Sequence, residues 1–168
     1  MNEPVSKSPF WQFSIKFYAV PGVADACIAL QDKANVDVNM LFFLLWNATQ
    51  GRAFNAADIT EIERQIGPWR EMAVIPIRNI RRALKSPPPV MVADAAESLR
   101  TRIKAVELEA ERLQQEALYG LAETSRLGRP SPSKIEAARD SISSYQGVIG
   151  PFPPEPLEAV LSAFANFG

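Results

Sequence analysis

At 168 residues, 47% of them apolar, the chain is long enough to bury one substantial core, and its net charge of −1 removes any global basic excess that would point to nucleic acid or an anionic membrane. It contains no histidine, which excludes Ser–His and Cys–His nucleophiles and takes away the commonest general base and metal ligand. The single cysteine, Cys27, excludes a disulfide framework, and its place in an apolar helical pattern reads as a buried, inert thiol.

The opening MNEPVSKSPF lacks the basic-then-apolar order of a signal peptide, so a cytoplasmic protein is the expectation. Ser8-Pro9 is a helix start, a capping hydroxyl followed by proline at the first helical position. Phe10, Phe13 and Phe17 then recur at helical spacing, with Trp11, Ile15 and Tyr18 on an adjoining stripe. Pro21 reopens a helix in which Val23, Cys27 and Leu30 share a face. Asn35 suits the left-handed position that stops it, and Asp37 suits the cap of the next helix. That next helix, about 38–50, carries MLFFLLW without a polar break. Apolar all round but far short of the ~20 residues a bilayer needs, it is expected at the centre of the bundle.

Asn55 caps a helix starting AADITEIERQIG, and Gly67-Pro68 is expected to break it. In WREMAVIPIRNIRRALK, Trp69, Met72, Ala73, Ile77, Ile80 and Leu84 form an expected apolar face, kinked at Pro76. Pro87-Pro88-Pro89 is a stiff connector into the longest helix, about 92–126. Along it Leu99, Ile103, Val106, Ala110, Leu113 and Ala117 make a heptad seam, suited to packing in the bundle or against a second copy. LGRPSPS reads as a mobile loop, 134–145 as a serine-diluted helix, and Leu157, Val160, Leu161 and Phe164 as a closing amphipathic helix. No repeat and no strand is expected. The fold class is all-α, a compact bundle of about six or seven helices forming one domain over 1–168.

PGVADACIALQDKANVDVNMLFFLLW, with FWQFSIKFYAV before it and PWREMAVIPIRNIRRALK and IKAVELEAERLQ after it, resembles a bacterial family of conserved hypothetical proteins common in proteobacteria. The family's elements fall on Gly22-Val23, Ala26-Cys27, Leu30-Gln31-Asp32, Asp37-Val38-Asn39, Trp46, Pro68-Trp69-Arg70 and Arg81-Arg82-Ala83-Leu84-Lys85. The resemblance covers about 9–115. Asn35 stands where the family usually has glycine, a replacement compatible with a left-handed cap. The tail from about 129 to 168 is less typical. The family is a domain of unknown function, so the resemblance implies no activity, cofactor or ligand.

The sharpest constellation is basic. Between 64 and 85, six cationic residues stand against one glutamate, a net +5. Arg78, Arg81 and Arg82 share one helical face, and with Trp69 and Arg70 they are the candidate binding residues for a phosphate or carboxylate. The plainer reading has these cations answering the helix dipole and pairing with Glu107, Glu109 and Glu111. Those glutamates read as a solvated face, because alternate helical positions point about 200° apart. Asp37 and Asn39, beside Asn35, read as structural caps, since they lack calcium-loop spacing.

Two functions follow. The leading one is a non-catalytic cytoplasmic interaction or self-association module, with Leu99, Ile103, Val106 and Leu113 as candidate partner-binding residues. The alternative is a site for a small anionic ligand at the 69–85 arginine face. No metal, cofactor, catalytic residue or membrane contact is expected, and nucleic acid is disfavoured because the aromatics sit at core spacing.

Overall fold

The computed structural model describes residues 7–168, so the reading of the first six residues as lacking a leader lies outside the described part. Ser8 caps α1 (Pro9–Tyr18), its Oγ accepting from the Trp11 amide at 3.1 Å. α2 (Val23–Ala34) begins after Gly22 and ends on Asn35, which sits in the left-handed region at φ 54°. Two residues on, Asp37 Oδ1 accepts from the Asn39 amide at 2.9 Å and starts α3 (Val38–Thr49). The stop and restart are thus local side-chain chemistry.

α3 is the hub, with every residue from Asn39 to Ala48 buried. Phe10 and Phe54 meet Phe43, and Phe17 meets Phe42, all with ring centres 5.2–5.8 Å apart. Each such side chain taken out of water contributes about 1.5–3 kcal/mol.

After a two-residue strand, β1 (Arg52–Ala53), the chain enters α4 (Ala56–Trp69) through a capping box between Asn55 and Asp58. Gly67-Pro68 does not break this helix. It continues to Trp69 and passes through a π turn (Arg70–Val74) into α5 (Ile75–Ala83). Proline deletes one ladder bond, whereas Ile62, Ile66 and Val74 are buried in a continuous packing that holds the backbone helical across it. The irregularity expected at Pro76 lies one turn earlier. There the Ile75 amide donates to the Arg70 carbonyl, five residues back.

The extra residue in that turn rotates everything beyond it by about 100°. The apolar face expected along 69–84 is consequently broken up. Met72 is 70% exposed, Ile80 is half exposed, and no residue of α5 is fully buried.

α6 (Ala93–Thr124) spans 32 residues and packs on α1, α3, α4 and α5. The heptad seam is not its buried face. Leu99, Val106, Leu113 and Ala117 are exposed, and Ala110 alone of the seam is fully buried, while Gln114, Gln115 and Leu118 lie inside.

α7 (Lys134–Ile149) packs on α3 and α4, and α8 (Pro154–Ala165) on α2, so the tail helices close the core. The segment 127–133, expected to be mobile, is tied down. β2 (Arg129–Pro130) pairs antiparallel with β1, a short bridge that strand propensity does not announce. The Arg52 guanidinium donates to the carbonyls of Ala122 and Leu127. Gly128 (φ 85°) lies so close that a Cβ there would come within 2.8 Å of Arg52 Nε.

Among the described residues these eight helical segments, with α4 and α5 continuous through the π turn, make seven rods and almost no sheet. The architecture is all-α. No single helix among the described residues is long and apolar enough to cross a membrane.

Candidate functional site

Five helices surround a cleft of about 1040 Å³. α1 presents Trp11, Ser14, Ile15 and Tyr18 to it, positions three and four apart that share one face. α2 contributes Cys27, Ile28 and Asp32, and α3 contributes Asn39 and Phe42. Arg78, Arg81, Arg82 and Lys85 line it from α5 and the turn after it, and Lys104, Leu108, Glu111 and Gln115 from α6.

The cationic wall is sorted by its partners. Glu107, 6% exposed, accepts from both Arg78 (3.2 Å) and Arg81. Arg78 also reaches Glu111 at 2.9 Å. Burial pushes the Glu111 carboxyl above the ordinary glutamate range, with Arg78 opposing that shift and Glu107 adding to it. Glu109 turns away and pairs with Arg112 at 2.7 Å. The three glutamates therefore do not form one solvated face. The 200° argument separates Glu109 from its neighbours and says nothing about the burial of Glu107.

Arg82 differs from the other two arginines. It pairs at 3.0 Å with Asp32 across the mouth of the cleft, and both side chains are about half exposed, 45% and 49%. Lys85 and Lys104 have no carboxylate partner among the described residues. Five cationic and three acidic side chains line the cleft, an excess of two positive charges.

Three residues of its floor also hold polar atoms that are neither satisfied nor reached by solvent. Trp11 Nε1, Ser14 Oγ and Gln115 Oε1 have no hydrogen-bond partner among the described residues, and their residues are 6%, 4% and 4% exposed. Gln115 spends its amide nitrogen on Asn39 Oδ1 at 2.8 Å. Asn39 therefore braces α3 against α6, where a local bond in its own first turn was expected. Around the floor stands an apolar rim of Ile15, Tyr18, Ile28 and Leu108, each 44–55% exposed. Burial raises the Cys27 thiol to about 12, which leaves it protonated and inert as a nucleophile.

Trp69 and Arg70 lie elsewhere. Trp69 Nε1 donates to the Ala110 carbonyl at 3.0 Å. Arg70 donates to Asp37 at 2.7 Å and Glu63 at 2.5 Å, and these two carboxylates outweigh burial and raise its pKa. Asp37 thus caps α3 with Oδ1, while its Oδ2 takes Arg70 and, at 2.6 Å, Gln114. The Asp37 amide donates to Tyr145 Oη at 3.2 Å, and burial, with Asp37 and Glu63 adding to it, raises the Tyr145 pKa. This knot joins α3, α4, α6 and α7. Leu99, Val106 and Leu113, 39%, 50% and 43% exposed, form a separate open stripe with the half-buried Ile103 at its edge.

Sequence reasoning brought Arg78, Arg81 and Arg82 to one face but missed Ser14, Lys104, Leu108 and Gln115. Two signals were available. Ser14 interrupts the apolar stripe of Trp11, Ile15 and Tyr18, and Lys104, Leu108, Glu111 and Gln115 recur four, three and four apart. Among the described residues no three His, Cys, Asp or Glu side chains cluster as metal ligands would. Neither the curated proteins nor the solved structures contain a match to the chain. A family model does match it, over residues 9–118, and on that match the chain belongs to the family described as "Protein of unknown function (DUF2390)".

Proposed function

We propose that the chain is a binding protein for a small anionic ligand held in the cleft between α1, α2, α3, α5 and α6. One observation carries this reading. The cleft combines cations without carboxylate partners (Lys85, Lys104) and a weakly committed one (Arg82) with an excess of two positive charges along its wall. Cations held without a fixed carboxylate are open to an anion, which meets them with charge-assisted hydrogen bonds. Calorimetry against a panel of phosphate and carboxylate metabolites tests the proposal. A ligand should bind, and the double substitution Lys85→Ala with Lys104→Ala should weaken it by about tenfold or more. Both lysines lack ion-pair partners, so the melting temperature of the free protein should hold. Failure of every anion in the panel to bind would end this reading.

A second reading is supported by the open stripe of Leu99, Val106 and Leu113 on α6. Their apolar side chains lie half out of the molecule at heptad spacing, a pattern suited to another helix or a second copy of this chain. Alanine at all three should weaken association in sedimentation experiments and leave helical circular dichroism unchanged. A protein that sediments as a monomer at all concentrations, and from which cross-linking captures no partner, would count against it.

A further inference from the structure

We infer that the cleft is built for an anionic amphiphile, a small molecule with an apolar body and one anionic head, and that Asp32 is the internal stand-in for that head. The inference rests on the anion-binding reading above and specifies the ligand.

The apolar half of the argument is the rim. Ile15, Tyr18, Ile28 and Leu108 come from three different helices, and each leaves 44–55% of its surface uncovered while facing the same concavity. Scattered exposed apolar residues need no explanation, but a convergent, concave set marks a surface made to be covered. The volume, about 1040 Å³, stands at the upper end of what drug-sized ligands occupy.

The charged half follows from the register of α5 on α6. Arg78 reaches Glu111 as well as Glu107, and Arg81 reaches Glu107, so the two helices run antiparallel. Continuing one turn carries Lys85 toward Lys104. Arg82 joins this end of the cleft, and its present partner is the carboxylate of Asp32 on the opposite wall. An exposed ion pair is held weakly, unlike Arg78 and Arg81, which are committed to a buried glutamate. Of the three guanidiniums, Arg82 is therefore the exchangeable one. A ligand head that displaces Asp32 meets one guanidinium and two ammonium groups.

The rim and the cations together select the occupant. The rim calls for an apolar body, and the uncommitted cations Lys85, Lys104 and Arg82 at one end of the same cleft call for an anionic head, a pairing that a small amphiphile supplies in one molecule.

The test is calorimetry of the full chain with n-alkyl phosphates of increasing length, each below its micelle concentration, beside inorganic phosphate and the matching n-alkanols. Affinity should rise roughly twofold to fourfold per methylene until the cleft is filled. Arg82→Gln should weaken the whole phosphate series by a common factor of about ten. Asp32→Asn should tighten it several-fold by removing the competing carboxylate. Both side chains are half exposed, so both variants should fold. Ile28→Ser should flatten the dependence on chain length without changing the affinity for inorganic phosphate.

Equal affinity for inorganic phosphate and the long-chain members would overturn the amphiphile and leave the anion site standing. No binding by any member, inorganic phosphate included, would remove both. Alkanols binding as tightly as the phosphates, or long chains binding with no response to Arg82→Gln and Asp32→Asn, would overturn the assignment of the head. A dimer that Ile28→Glu dissociates would give the rim to a second copy of the chain.

Discussion

Glu107 and Glu111 are one helical turn apart on α6 and share the Arg78 guanidinium, yet their surroundings give them opposite weights. Glu107 is buried and is the common partner of Arg78 and Arg81. Glu107→Gln would leave the mostly buried Arg81 without a carboxylate and Arg78 with Glu111 alone, and breaking such a pair costs about 3–5 kcal/mol. Urea denaturation should show a loss of that size. Glu111 bears the other sign, because burial raises its pKa in spite of Arg78. A carboxyl whose folded pKa exceeds its unfolded value binds more protons in the native state. Its contribution to stability therefore rises as pH falls from the raised value toward the ordinary glutamate range, and is lost as pH climbs back through that window. Glu111→Gln should cost less than about 1 kcal/mol at pH 7. The variant's stability should also change less between pH 7 and pH 4.5 than that of the unsubstituted protein. A steeper change in the variant would refute the assignment.

Helix ends separate what was legible in the sequence from what was not. Ser8, Asp37 and Asn55 accept from amides two or three residues away and Asn35 stops α2 through its own left-handed backbone, and the sequence alone identifies every one of these stops and starts. The second job of Asp37, neutralising Arg70 from 33 positions away, has no local signal. The two caps should therefore behave differently. Asn55→Ala, which loses an exposed capping box, should cost about 1 kcal/mol. Asp37→Ala should cost about 3 kcal/mol or more, because Arg70 keeps only Glu63 and Gln114 loses its acceptor. Equal losses in parallel thermal melts would show that the Asp37–Arg70 pair contributes little. The passage through Gly67-Pro68 was hidden for a related reason. Proline's local cost is known from sequence, but the burial of Ile62, Ile66 and Val74 that outweighs it is a property of the packed molecule.

At the scale of the whole molecule, the central place of α3 was legible because an apolar run this short and this complete has no other place to go. The cleft was not. Each of its five helices carries a readable face, yet nothing in a single face says that Ser14 on α1 and Gln115 on α6 line the same floor. The heptad seam on α6 shows the converse. Its periodicity is real, but the molecule buries the neighbouring face that carries Glu107, Gln114 and Leu118. The α4–α5 rod reaches the cleft only after its π turn. That turn sets the rod's phase, much as an inserted tooth sets a gear train: remove one residue and every later side chain points a quarter-turn or more away. Deleting Met72, which is 70% exposed and packs against little, should yield a plain α-helix of nearly unchanged circular dichroism. In that helix Arg78, Arg81 and Arg82 would face away from Glu107 and Asp32. Ligand binding and the stability contributed by Glu107 should then vanish together, although the deleted side chain touches neither.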